Sequence, residues 1–75
     1  MCLLELEIIS AVRHAEEKHP EFAENRFQAV SIIGEEFGEL AQAVNDNDFE
    51  QAEAEALDLI AVCIRFLKNK NKLKE

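Results

Sequence analysis

From Ala56 to Leu67 the chain reads ALDLIAVCIRFL, and only Asp58 and Arg65 in that run carry charge. Wound as an α-helix, such a run presents apolar side chains in every direction, so it must be covered on all sides. That requirement falls on a chain of only 75 residues, which makes a single domain with a modest core. Two further amphipathic helices cannot enclose the run by themselves. The expectation is therefore an all-α fold, a short bundle of three helices per chain completed by oligomerisation, with the third helix central to the interface.

The remaining pattern agrees with helices. Gly and Pro total three residues, and no strand-like alternation is present. The first helix is expected over about residues 2–18, where Leu4, Ile8, Ala11 and Ala15 form one stripe widened by Ile9 and Val12. Pro20 ends it, because proline disfavours helix in the residue before it. The second helix is expected from about Pro20 to Val44, with Val30, Ile33, Phe37, Leu40 and Val44 at spacings of three and four. Asn45-Asp46-Asn47-Asp48 then closes that helix and makes a turn. The third runs from about Asp48 to Lys70, opened by a capping-box pattern of Asp48 with Gln51. The tail over about 69–75 carries lysines and is expected to be solvated or frayed. The five phenylalanines, Phe22, Phe27, Phe37, Phe49 and Phe66, are assigned to the core. His14 and His19 are assigned to the surface.

Charge narrows the function classes. Sixteen acidic residues against eight basic ones give a formal charge of −8, which opposes binding to nucleic acid and to an anionic membrane surface. No apolar run approaches a transmembrane length, and Glu5 and Glu7 interrupt the apolar start at once, so no signal peptide is expected. Cys2 and Cys63 lie far apart and lack metal-ligand spacing. The expected setting is cytoplasmic.

Two short motifs carry chemistry. The second helix contains Glu35-Glu36-Phe37-Gly38-Glu39, and the third contains Glu55-Ala56-Leu57-Asp58. In each, two carboxylates at i and i+3 project from one face. The short turn makes the helices antiparallel neighbours, and counting outward from it sets the two pairs at comparable heights. At about 100° per residue, Glu36 falls inside the apolar arc of Ala29, Ile33 and Leu40. Glu39 falls at its edge and Glu35 further out. Asp58 interrupts the apolar run. Unpaired carboxylates buried in this way are costly or become protonated. An oxygen-preferring cation such as Mg²⁺, Mn²⁺ or Ca²⁺ resolves the conflict. A ferritin-like di-iron site needs Glu-x-x-His, and neither motif has His at i+3.

The pattern EEFGELAQAV, followed after a short interval by EALDLIAVCIRFL, resembles the MazG-like all-α nucleoside triphosphate pyrophosphohydrolases. Their signature is EExxE, then ExxD on the next helix. The resemblance covers roughly residues 20–68, and the chain has three helices where many relatives have a fourth. It implies Mg²⁺, with Mn²⁺ as a substitute, held by Glu36, Glu39, Glu55 and Asp58. It implies Glu35 or Glu36 as the base, and a homodimer or homotetramer. The implied reaction is attack of water on the α-phosphate of a nucleoside triphosphate, releasing pyrophosphate. Arg26, Asn45, Arg65 and Lys68 are the candidates for holding phosphates or base, without a motif match. The alternative expectation is a helical interaction module that keeps the fold and has lost hydrolysis.

Overall fold

The computed structural model describes residues 2–74. It contains three α-helices: α1 over Leu3–Lys18, α2 over Arg26–Asn45 and α3 over Phe49–Lys68. Among the described residues no strand forms, and the only β feature is an isolated parallel bridge between Asn25 and Lys74. Among the described residues, no helix is long and apolar enough to cross a membrane.

The second helix starts later than proline placement suggests. Asn25 is its N-cap, and its side chain accepts a hydrogen bond from the Gln28 N–H at 2.8 Å. Gln28 reaches back and accepts from the Glu24 N–H at 2.7 Å. This exchange satisfies amide donors that an uncapped helix start leaves open. Residues 19–25 are consequently a connecting segment instead of a first turn of α2.

The α2–α3 turn follows from Asn47. Its φ of 59° is left-handed, a conformation that Asn tolerates better than most residues. With it, the Asn47 N–H donates to the Val44 carbonyl and the Asp48 N–H to the Ala43 carbonyl, the two bonds of a Schellman ending. Asp48 then opens α3 by accepting from the Gln51 N–H at 3.1 Å. A three-residue connection of this kind fixes α2 and α3 as antiparallel neighbours.

α3 packs against both α1 and α2, whereas α1 and α2 do not pack against each other. The described chain measures 38 × 30 × 18 Å. Its buried apolar residues are Val12, Ala29, Ala43, Ala52, Ala61, Val62 and Leu73, and no large side chain is fully buried. The expectation of five core phenylalanines fails for three of them: Phe27, Phe37 and Phe49 are exposed, because they lie on sides of α2 and α3 that no other element covers. Phe22 and Phe66 are half-buried. α3 itself is covered by α1 and α2 at Ala52, Glu55, Ala61, Val62 and Arg65, and left open at Ile60 and Leu67.

The tail is not frayed as far as Lys74. Leu73 is buried, the Lys74 N–H donates to the Glu24 carbonyl, and the Arg26 N–H donates to the Lys74 carbonyl. The apolar Leu73 seats the tail, and the unpaired backbone before α2 supplies its hydrogen-bond partners.

Candidate metal centre

Glu36 and Glu39 stand one turn apart on α2, and Glu55 faces them from α3. One carboxylate oxygen from each lies within 4.8 Å of the other two. Burial differs across the cluster: Glu55 is buried, Glu36 half-buried and Glu39 exposed. Oε2 of Glu36 is buried with no hydrogen-bond partner. Asp58 stands beside this trio, exposed, and close enough to perturb both Glu36 and Glu55. Its exposure departs from the sequence expectation of a buried interruption, even though α1 runs past it, with Leu6, Ser10, Ala11 and His14 lining a surface pocket beside it.

The crowding shifts proton equilibria. A hydrogen bond to the Glu39 carboxyl is the largest cause holding Glu55 up at about 7, followed by burial and by the charge of Glu39, with Asp58 and Glu36 adding to the shift. Glu36 is also raised, first by burial and then by the charges of Glu39, Asp58 and Glu35. Like charges forced together favour neutral forms. An ion ligated by these oxygens would relieve that repulsion and satisfy the orphaned Glu36 oxygen. The donor set is all oxygen, which suits a hard cation such as Mg²⁺ or Mn²⁺.

Through Glu36 the cluster borders an open cavity of ≈ 480 Å³ between the three helices. One wall comes from α2 and α3, with Glu35, Glu36 and Asp58; the opposite wall comes from the end of α1, with His14, Lys18 and His19. Phe22, Ile32, Ala61 and Val62 supply its apolar lining. Because α1 and α2 meet only through α3, the space between them stays open.

The phosphate and base candidates distribute differently from expectation. Arg65 lines the cavity, but it is buried and its guanidinium is committed to backbone. Nη1 donates to the Ala15 carbonyl at 3.3 Å, and Nη2 to the carbonyls of His19 and Pro20. The guanidinium also stacks over the Phe22 ring at 5.3 Å. Arg65 therefore ties the end of α1 and the segment after it to α3, sharing the Ala15 carbonyl with the His19 N–H and supplying a donor to the His19 carbonyl at the helix end. Lys68 pairs with Glu16 at 2.8 Å, and that contact lowers the Glu16 pKa. Arg26 and Asn45 do not line the cavity, and neither does Lys68. His14, Lys18 and His19 were missed as site residues. The one signal that could have found the first two is their i, i+4 spacing, which sets them on one face of α1.

Neither protein-family models, nor curated proteins, nor solved structures give a match to this chain.

Proposed function

We propose that this protein is a Mg²⁺-dependent nucleoside triphosphate pyrophosphohydrolase that releases pyrophosphate and a nucleoside monophosphate. One observation carries the reading: Glu36, Glu39 and Glu55 bring carboxylate oxygens within 4.8 Å of one another at the edge of a nucleotide-sized cavity. The EExxE and ExxD motifs, resembling those of MazG-like enzymes, fall on these same residues. Glu36, Glu39 and Glu55 would hold the cation, with Asp58 beside them. When bound, the ion neutralises triphosphate charge and stabilises the leaving group.

The chain's own residues supply the rest. An anionic substrate meets a protein of charge −8, so positive charge must be local. Lys18 provides it on the α1 wall, where His14 and His19 add hydrogen-bonding groups. Phe22, Ile32 and Val62 give the base or sugar an apolar surface that excludes water. Glu35 is exposed on the cavity wall and outside the trio, which leaves its carboxylate free to take the proton of the attacking water. The reading includes assembly into a homodimer or homotetramer and action on a cytoplasmic nucleotide pool.

The test is pyrophosphate release from a panel of canonical and modified triphosphates, with and without Mg²⁺. At least one substrate should give pyrophosphate and monophosphate in equal amounts. Glu55→Gln should lower that rate by roughly 100-fold or more, at least matching the loss seen when groups supporting a metal are removed. Absence of pyrophosphate across the panel, or release unaffected by Glu55→Gln, overturns the reading.

A further inference from the structure

The two walls of the cavity do not support each other. α1 and α2 make no packing contact, so the connector between them takes its position from its ties to the rest of the chain. Residues 19–22 of that connector lie outside any helix, yet His19, Glu21 and Phe22 line the cavity. The far end of the connector is held by the tail, through backbone hydrogen bonds of Lys74 with Glu24 and Arg26. The near end is held by Arg65. This side chain is only 4% exposed. Its guanidinium donates to the carbonyls of Ala15, His19 and Pro20 and stands 5.3 Å from the centre of the Phe22 ring. The neighbouring polar tie, Lys68 to Glu16, is exposed to solvent and of a kind that contributes little.

We infer that Arg65 is the positioning residue of this cavity: without touching the nucleotide, it locks His19 and Phe22 in place and so sets how tightly the base and sugar are held. The side chain suits that role and not phosphate binding. Nη1 and Nη2 are committed to carbonyls, and Nε is buried without a partner, out of reach of an incoming anion. A planar fork can hold several carbonyls and stack on a ring at once, which an ammonium cannot. Burying the charge is costly, and an apolar residue of similar volume would pack α3 at least as stably. What the arginine adds is reach, from the last turn of α1 to Phe22. A wall fixed in advance loses little freedom when a ligand arrives, whereas a loose connector must be ordered first, which lowers affinity. The carboxylates stand on α2 and α3, apart from the connector, so metal binding is separable from this grip.

The inference rests on the proposed function, and its test separates the two. Arg65→Lys is assayed in the full chain, at a temperature where circular dichroism shows it folded. The probes are the triphosphate that the wild type cleaves best and the matching monophosphate as product inhibitor. KM for the triphosphate and the inhibition constant of the monophosphate should both rise at least tenfold and by the same factor. kcat should stay within threefold and Mn²⁺ affinity within twofold. Lys68→Gln, which removes only the exposed tie, should change none of these. In the wild type, amide nitrogen relaxation should show His19, Glu21 and Phe22 as rigid as the helices, with order parameters of about 0.85, and Arg65→Lys should loosen them. If Arg65→Lys does not fold, the wild-type relaxation decides: order parameters below about 0.6 at these residues overturn the inference. Unchanged KM and inhibition constants also overturn it, as does a kcat loss with KM intact. A loss confined to the triphosphate overturns it too, because Arg65 would then be a phosphate ligand. Pyrophosphate release with these constants unmoved sinks this inference alone, whereas a wild type that releases none sinks the proposed function and this inference with it.

Discussion

Arg65 shows how a single side chain takes its role from what surrounds it. In the sequence it is a cation seven residues after Asp58, on the same face of the helix, and it looks available to a phosphate. Its partners are backbone carbonyls of Ala15, His19 and Pro20, and no residue pattern displays which carbonyls a distant side chain will reach. The guanidinium fork reaches several acceptors at once and stacks on Phe22; an ammonium cannot do both. Arg65→Lys should therefore destabilise the fold by about 2 kcal/mol, the scale of leaving buried acceptors unpaired, read as a lower denaturant midpoint. An unchanged midpoint would mean that these contacts hold nothing. The carboxylates were more legible. The i, i+3 spacing and the angular position of Glu36 predict that Glu36, Glu39 and Glu55 converge, and they do. Asp58 was less so, because its exposure depends on the path of α1 over α3.

Helix existence was legible from apolar periodicity for all three elements, and the α2–α3 turn from its run of Asn and Asp. The start of α2 was not. Pro20 drew the expected boundary upstream, whereas Asn25 and Gln28 set it through side-chain hydrogen bonds. Asn25→Ala should cost about 1 kcal/mol, a usual value for a lost N-cap; a thermal melt showing no loss would assign the boundary to something else. The tail was misjudged because its lysines dominate its composition. One apolar residue decides its path, since Leu73 is buried while the Lys74 backbone pairs with the segment before α2. Leu73→Ala should cost about 2 kcal/mol, at the low end for such truncations, and should speed hydrogen exchange at the Arg26 and Lys74 amides. Exchange unchanged at those amides would contradict the seating of the tail.

At the scale of the whole molecule, the sequence indicated that two further helices cannot enclose the apolar run over residues 56–67, and in the single chain Ile60 and Leu67 of that run stay exposed. Which faces stay open was not legible, because that depends on α1 joining α3 and leaving α2 alone. The acidic cluster gives the folded protein a distinctive pH response. Glu55 rises from an ordinary 4.5 to about 7, so between those values the folded form holds a proton that the unfolded chain releases. Stability without metal should fall as pH rises through this window, and the raised Glu36 acts in the same direction. Mg²⁺ requires the ionised carboxylates, so it should release protons on binding and raise the melting temperature more at pH 8 than at pH 5. A metal-free protein that gains stability between pH 5 and pH 7 would contradict this reading of the cluster.

The claim on which the account turns is that these carboxylates are gathered to hold a cation. It is tested most directly by electron paramagnetic resonance of free Mn²⁺ titrated with the protein at pH 8. The account predicts saturable binding that Mg²⁺ displaces, that Glu55→Gln abolishes, and that Glu53→Gln, outside the cluster, leaves intact. Mn²⁺ that stays free, or binding equally strong in Glu55→Gln and wild type, would contradict it.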